Sequence, residues 1–245
     1  MDRKKALITG GCKGIGFAIA KSLAAKGYDL LLTYRSDTFT AQKSCDEINK
    51  EFDIEAVALK ADSADANSLD IVANHIAAGD FKLDVTIFNA GMTCRDSFEA
   101  MKMTDWQDVF FANVHFPVFL LQRLLTDGLL NSGGSVVFTG SLTAIYPHAM
   151  SLSYGVSKAA VHALVKNMVK FLMPYNIRVN AVAPGFVDTD WQKNKSAEIR
   201  HSIESKIALG RFCNPNEITD IYNLLIDNQY LNGEIIVADG GYSFR

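Results

Sequence analysis

Residues 6–27 read Ala6-Leu-Ile-Thr-Gly-Gly-Cys-Lys-Gly-Ile-Gly16-Phe-Ala-Ile-Ala-Lys-Ser-Leu-Ala-Ala-Lys-Gly27. A short apolar run ends in a glycine-rich turn. The residues after the turn have helical periodicity, and Gly27 supplies a C-terminal stop. The order is strand, turn, helix. Glycines let the backbone turn tightly and come close to a pyrophosphate, while the helix N-terminus offers free N–H groups and the positive end of a dipole. Gly10, Gly14 and Gly16 are spaced G-x-x-x-G-x-G, which departs from the G-x-G-x-x-G fingerprint.

Outward from this unit, strand-like and helix-like segments alternate. Apolar runs at about 4–9, 28–34, 54–60, 83–89, 133–140, 176–183 and 233–237 predict strands buried on both faces. Helical patterns fall at about 14–26, 38–52, 65–79, 104–127, 152–173 and 215–227. Alternation of this kind predicts an α/β fold, a seven-stranded doubly wound parallel sheet with helices on both faces. No Pro/Gly/Ser-rich linker, charge block or internal repeat divides residues 1–245, so a single domain is expected. After Pro184-Gly185 the pattern loosens and turns polar. This segment follows a strand's carboxyl end, where ligands bind in such sheets, so 186–210 reads as a substrate lid.

Composition excludes several classes. With 49% apolar residues the chain can bury a sizeable core. A formal charge of −3 leaves no electrostatic footprint for nucleic acid. The basic start is followed only by Ala6-Leu-Ile before Gly10, which is no signal-peptide core, and the uncharged apolar stretch near 116–122 is too short for a bilayer. No membrane association is expected. Cys12, Cys45, Cys94 and Cys213 show no C-x-x-C spacing, so neither a metal nor a disulfide is expected, and reduced thiols suit a cytoplasmic location.

Tyr154 and Lys158 stand four apart in Tyr154-Gly-Val-Ser-Lys158, one face of a helix. A free phenol titrates near ~10, and a nearby cation lowers that value toward the working range of a general acid. Many solvated helix faces also carry a Tyr and a Lys at this spacing.

Taken with the remaining motifs, these residues identify the chain as resembling the short-chain dehydrogenase/reductase family over essentially its whole length. The matching positions are Thr9 through Gly16, Asp62, Asn89-Ala90-Gly91, Asn113, Ser141, Tyr154 with Lys158, and Pro184-Gly185 with Thr189. Within the family it is most similar to the 3-oxoacyl-[acyl-carrier-protein] reductases, through Ala183-Pro-Gly-Phe-Val-Asp-Thr189, Leu209-Gly-Arg-Phe212 and Gly233-Glu-Ile-Ile-Val-Ala-Asp-Gly-Gly241.

The resemblance implies a Rossmann fold, a nicotinamide dinucleotide and reduction of a carbonyl. Ser141 would donate to the substrate carbonyl and Tyr154 would give the proton. Lys158 would lower the Tyr154 pKa and bond the nicotinamide ribose, and Asn113 would hold a water linking Lys158 to solvent. Thr9, Gly10, Gly14, Ile15 and Gly16 would line the pyrophosphate; Asp62 with Ser63 would meet the adenine; Asn89, Ala90 and Gly91 would lie below the adenosine ribose. Pro184, Gly185, Val187 and Thr189 would meet the carboxamide. The strand Asp29-Leu-Leu-Leu-Thr-Tyr34 runs into Arg35-Ser36 with no carboxylate at its tip. Lys13 stands in the glycine turn, and Lys13 and Arg35 are expected to converge on a 2′-phosphate, which points to NADP(H). Asp37 weighs the other way, because a shift of two or three residues in the loop brings it to the ribose.

The substrate expected is a 3-oxoacyl thioester, with acyl-carrier-protein as partner and fatty acid biosynthesis as context. Two features depart from that pattern. Leu129-Leu-Asn-Ser-Gly-Gly134 carries no charge, and Tyr175 stands where an Arg is expected, with only Lys166 and Lys170 nearby. Another ketone/alcohol pair (sugar, polyol or steroid-like) remains open, and so does a non-catalytic dinucleotide sensor. Tyr146, His148, Met150 and Phe186 border the expected pocket, whereas His75, His115, His162 and His201 read as ordinary helix residues. The helix near 152–173 is apolar on several faces, in keeping with the family's usual homotetramer.

Overall fold

A computed structural model describes residues 3–147 and 151–244, so His148 and Met150 lie outside the described residues. Seven parallel strands form one sheet in the order β3-β2-β1-β4-β5-β6-β7. They are β1 (Lys5–Ile8), β2 (Asp29–Tyr34), β3 (Ala56–Lys60), β4 (Leu83–Phe88), β5 (Leu130–Thr139), β6 (Arg178–Pro184) and β7 (Ile235–Ala238). The order reverses between β1 and β4, and there the crevice at the carboxyl ends of the strands opens for a ligand.

Helices cover both faces. α1 (Gly14–Ala24), α2 (Thr38–Glu51) and α8 (Pro215–Asp227) cover one face; Ile19, Leu23, Ile48, Tyr222 and Leu225 form its core. The other is covered by α3 (Asn67–Ala78), α6 (Leu152–Leu172) and a long helical rod, with Ile76, Phe116, Leu120, Leu124, Val161 and Val165 inside. Each fully buried aliphatic side chain contributes about 1.5–3 kcal/mol. Burial from both sides makes the strands continuously apolar, and every residue of β6 is buried.

The rod differs from the single helix expected over 104–127. It runs as α4 (Met103–Phe110), a π-helical turn (Phe111–His115) and α5 (Phe116–Thr126). Pro117 has no N–H to give the carbonyl of Asn113 four residues earlier, so a regular α-turn cannot close there. By length and composition Met103–Thr126 could cross a bilayer, but Val109, Phe116, Leu120, Leu121 and Leu124 are buried in this core.

β5 starts earlier than expected. Leu130 pairs with Leu83, the register shifts, and regular pairing resumes at Ser135. Gly133, at φ 82°, belongs to this irregular stretch. At the far end of the sheet, Arg178 donates to the carbonyls of Leu225 (2.7 Å) and Ile226 (2.6 Å), tying off the last turn of α8.

The segment expected to be a lid is not structureless. It contains a short 3-10 turn at Asp190–Gln192 and helix α7 (Ala197–Glu204), N-capped by Ser196. Arg200 of α7 pairs with Asp188 at 3.0 Å and lies 4.4 Å from the Phe212 ring centroid.

Candidate active site

The glycine turn is braced from two neighbouring strands. Thr9 Oγ1 accepts from the N–H groups of Asn89 and Ala90, at 3.0 Å each. The Asn89 amide donates to the carbonyls of Thr9 (3.1 Å) and Gly10 (3.2 Å), so this side chain holds the turn. From β2, Thr33 Oγ1 accepts from Gly10 N–H at 3.2 Å. Gly16 has no room for a side chain, since a Cβ there would stand 2.2 Å from the Gly10 carbonyl oxygen. Gly10 (φ 62°) and Gly14 (φ 54°) take backbone angles that favour glycine. α1 then starts with no side-chain cap and no acid in its first turn. Its free N–H groups and dipole therefore suit an anion.

Lys13 reaches across to the loop after β2. Its Nζ donates to Asp37 Oδ2 at 2.5 Å, and Asp37 Oδ1 caps α2 by accepting from Thr40 N–H at 3.0 Å. Arg35 and Ser36 are exposed beside this pair. Asp62 Oδ1 accepts from Ala64 N–H at 3.0 Å, closing a turn before α3, and Ser63 is buried next to it.

Ser141, Tyr154, Lys158 and Asn113 come together at the ends of β4 and β5. Ser151 caps α6, accepting from Tyr154 N–H, and donates to the Cys94 carbonyl, so the loop after β4 is fixed to the start of α6. One turn on, Lys158 is buried, its Nζ 5.6 Å from the Tyr154 ring centroid, and donates to the Thr139 carbonyl at 2.7 Å. Burial pushes the ammonium down to about 8. Burial also raises the Tyr154 phenol above its ordinary value, and a hydrogen bond to Ser141 partly offsets this. The lowering of Tyr154 expected from Lys158 does not appear in this arrangement: desolvation dominates, and the Ser141 hydrogen bond is what opposes it.

Asn113 lies in the π-turn. Its amide oxygen accepts from Met92 N–H at 2.7 Å, and its nitrogen donates to the Met92 carbonyl and to Ser157 Oγ, each at 2.9 Å. Ser157 in turn donates to the Tyr154 carbonyl at 2.8 Å. Gly91 makes space here, for a Cβ would fall 3.4 Å from Asn113 Oδ1 and 3.6 Å from Lys158 Nζ. Asn113, Pro117, Thr139 and Lys158 help line a cavity of about 10 Å³, about the size of one water.

Two side chains escaped the sequence reading. His162 follows Tyr154 and Lys158 at the same four-residue step, which is the signal that could have found it. It is buried, its Nε2 accepts from Ser141 N–H at 3.4 Å, and burial, then the charges of Lys158 and Lys166, pushes it down to about 4. Gly140 is required beside it, because a Cβ would stand 2.3 Å from that nitrogen. Trp191, in the 3-10 turn of the lid, places its ring 6.0 Å from that of Tyr154. Neither the aromatic nor its neighbours carry a pattern that sequence alone could tie to Tyr154.

Gly185 closes against Asp239, and Val187 bridges to Cys213. Thr189 faces the glycine turn: a Cβ on Gly14 would lie 3.2 Å from Thr189 Cγ2. The segment after β6 thus meets the glycine turn at Thr189, beside the crevice at the carboxyl ends of the strands. Phe186 packs on Phe212 and Tyr242, whereas Tyr146 is exposed. Elsewhere, ligand-type atoms of Cys94 and Asp96 on the loop after β4 and of Asp105 in α4 lie within 4.8 Å of one another.

Comparison with known proteins follows the same residues. The family model described as Enoyl-(Acyl carrier protein) reductase matches residues 10–243. The chain is 31% identical over 241 residues to the uncharacterized oxidoreductase YmfI of Bacillus subtilis, covering 98% of each chain. It is 30% identical over 243 residues to the 3-oxoacyl-[acyl-carrier-protein] reductase FabG of Aquifex aeolicus, again 98% of each. A crystal structure of a short chain dehydrogenase from Burkholderia cenocepacia in complex with NADP superposes with a TM-score of 0.90 at 30% identity, covering 98% of both chains.

Proposed function

The chain belongs to the short-chain dehydrogenase/reductase family, and from that premise we propose that it reduces a carbonyl with NADP(H), the substrate being a 3-oxoacyl thioester. The observation that carries this reading is the cluster of buried Ser141 and Lys158 with half-buried Tyr154 at the carboxyl ends of β4 and β5.

The residues present fit a dinucleotide. The uncapped α1 N-terminus, with Gly10, Gly14, Ile15 and Gly16, offers N–H groups to a pyrophosphate, and Thr9 and Asn89 hold that turn in shape. Lys13, Arg35 and Ser36 would meet a 2′-phosphate, Asp62 and Ser63 the adenine, and Ala90 and Gly91 the ribose. Pro184, Gly185, Val187 and Thr189 would hold the carboxamide. When bound, the reduced nicotinamide supplies a hydride to the carbonyl carbon.

The chain's own residues handle the proton. Ser141 Oγ donates to the substrate oxygen, while its backbone is held by His162. Tyr154 transfers its phenolic proton to that oxygen. The phenol, raised by burial, is protonated at neutral pH but is a weak acid until a cation stabilises its phenolate. Lys158, held by the Thr139 carbonyl, stabilises the phenolate left behind. A single water in the small cavity beside Lys158 and Asn113 would return a proton from solvent.

The thioester assignment draws support from the FabG relatives and from two neighbouring cations, one in the segment after β6 and one in the loop after β4. Lys195 of the lid is shifted down by burial and then by the charge of Arg95, so the two lie close and favour an anionic group. The apolar end of α6 favours a second reading, reduction of another ketone, since exposed Phe171, Met173 and Tyr175 stand where a basic docking patch for acyl-carrier-protein is expected. The same residues, with exposed Phe119 on α5 and Leu224 and Val237 on α8 and β7, offer apolar surface for a homotetramer. A cytoplasmic location accords with this reading.

The test is oxidation of NADPH and NADH with acetoacetyl-CoA. Turnover with NADPH that falls at least a thousandfold in Tyr154→Phe, with NADPH binding retained, supports the proposal. Turnover surviving in Tyr154→Phe overturns the acid assignment. NADPH binding with no reduction of the thioester moves the substrate to the other ketones.

A further inference from the structure

Ser141 has one hydrogen to give and must give it to the substrate oxygen, so its hydroxyl has to be turned one way. We propose that Thr143 is a positioning residue that turns it, by filling both acceptor sites of the Ser141 hydroxyl and leaving its hydrogen for the substrate. The inference rests on the carbonyl-reductase reading.

Thr143 lies in the 3-10 turn Leu142–Ala144, which Ser141 caps. Its Oγ1 donates to Ser141 Oγ at 2.9 Å, and its N–H donates to the same atom at 3.2 Å. A hydroxyl offers one hydrogen and two lone pairs. Both lone pairs of Ser141 are therefore taken by one residue, and its own hydrogen has to point away from Thr143. The hydrogen bond between Ser141 and Tyr154 gives the direction. It lowers the phenol, so it favours the phenolate, which can only accept. Ser141 thus aims its hydrogen at the oxygen of Tyr154, where the substrate oxygen must come to take the Tyr154 proton.

The turn that carries Thr143 is itself held. Ala144 N–H donates to the Ser141 carbonyl at 3.1 Å and Ile145 N–H to the Leu142 carbonyl at 2.9 Å, and Leu142 is buried. A Cβ on Gly155 would lie 3.6 Å from the Thr143 carbonyl oxygen, so the turn rests on α6 at the residue after Tyr154. Thr is β-branched and stiff at χ1, which limits the directions its hydroxyl can take. His162 accepts from Ser141 N–H at 3.4 Å, so the backbone and the hydroxyl of Ser141 are held by different residues. Without Thr143 Oγ1 one lone pair opens, the Ser141 hydroxyl gains a second orientation, and the population aimed at the substrate falls. The donor is misdirected rather than lost, so the effect stays below the ~10²–10³ in kcat that deletion of an oxyanion donor costs.

Thr143→Val keeps the branched shape and removes the hydroxyl, whereas Thr143→Ser keeps the hydroxyl and removes the methyl. Steady-state kinetics with NADPH are measured on the wild type and both variants, with acetoacetyl-CoA and with ethyl acetoacetate, beside NADPH dissociation constants and melting temperatures. In Thr143→Val kcat should fall about five- to twentyfold, with KM and NADPH affinity within about twofold of wild type, and Thr143→Ser should recover kcat to within about threefold. Thr143 is half-buried, and Thr143→Ala gives the same reading if Thr143→Val melts early. The inference is overturned, and the reductase reading left standing, by kcat within about twofold of wild type in Thr143→Val, by a loss that Thr143→Ser does not recover, or by a rise in KM at unchanged kcat. Wild-type protein that binds NADPH and reduces neither substrate overturns that reading and the inference with it.

Discussion

The glycine turn after β1 and the segment after β6 meet beside one groove, at Gly14 and Thr189, but different forces hold them. The turn is fixed by buried or half-buried hydrogen bonds from Thr9, Thr33 and Asn89 and by backbone contacts that leave no space at Gly16. The segment after β6 is anchored by the Val187–Cys213 bridge and by buried Ile207, and between them it carries the exposed Asp188–Arg200 and Asp190–Lys193 pairs and the approach of Trp191 to Tyr154. Buried polar bonds are costly to break, whereas exposed ion pairs are worth little. The expectation is one preformed wall and one whose middle opens at smaller cost, as a site requires that must grip a cofactor and exchange a substrate.

The severest way to break this contrast is Gly16→Ala. The added methyl would stand 2.2 Å from the Gly10 carbonyl oxygen and 2.6 Å from the Asn89 amide nitrogen, neither of which can yield without undoing the turn. Cofactor binding should fall below detection, and stability should drop by about 3 kcal/mol or more. Thermal melting and NADPH titration check both. An equal insertion into the lid should leave the melting temperature almost unchanged.

The catalytic wall belongs to the rigid side, and His162 tests that. Its imidazole, pushed down to about 4 in the folded chain against ~6.5 unfolded, stays neutral while the unfolded chain takes up a proton. The unfolded state binds more protons between these values, so stability falls as pH drops from about 6.5 through 4, by up to about 3 kcal/mol. His162→Leu should remove much of this acid sensitivity in urea unfolding at pH 7 and 4.5. It should also lower kcat, since Ser141 N–H loses its acceptor. An acid profile identical to wild type would exclude His162 from the brace.

The contrast also explains how much of the molecule was legible. The alternating β/α order and the strand-turn-helix at 6–27 follow from local pattern, because parallel strands and glycine turns leave strong signatures, whereas spacing alone joins only Tyr154 with Lys158 and the resemblance to the family added Asn113 and Ser141. Helix α7 was missed because its polar stretch has no buried face to impose a period, and none of its residues is buried. The π-turn was missed because its cause, Pro117 opposite the carbonyl of Asn113, lies inside an otherwise helical pattern. The Lys13–Asp37 bond and the raised phenol of Tyr154 depend on tertiary placement and burial, which spacing along the chain does not encode.

Trp191→Ala probes the looser wall at its one contact with the chemistry. Loss of the ring beside Tyr154 removes an aromatic contact worth about 0.5–1.5 kcal/mol. KM for the carbonyl substrate should rise about three- to tenfold, with kcat within about threefold of wild type. A fall in kcat with KM unchanged would instead place Trp191 among the groups that hold Tyr154 in its working position.

The smallest effect belongs to Asp188→Asn. Asp188 is 55% exposed and pairs with Arg200 of α7 within the same segment, so loss of the pair should cost only about 0.2–1 kcal/mol. That is too little to move the melting temperature measurably, but it is enough to raise the open fraction of the lid up to about fivefold. Limited proteolysis within 186–210 should then quicken by up to the same factor, while cleavage elsewhere keeps its rate. High salt should abolish the difference between variant and wild type, because screening weakens the same pair. An accelerated cleavage spread over the whole chain would mean that the pair supports the global fold, and the two walls of the groove would then be alike in kind.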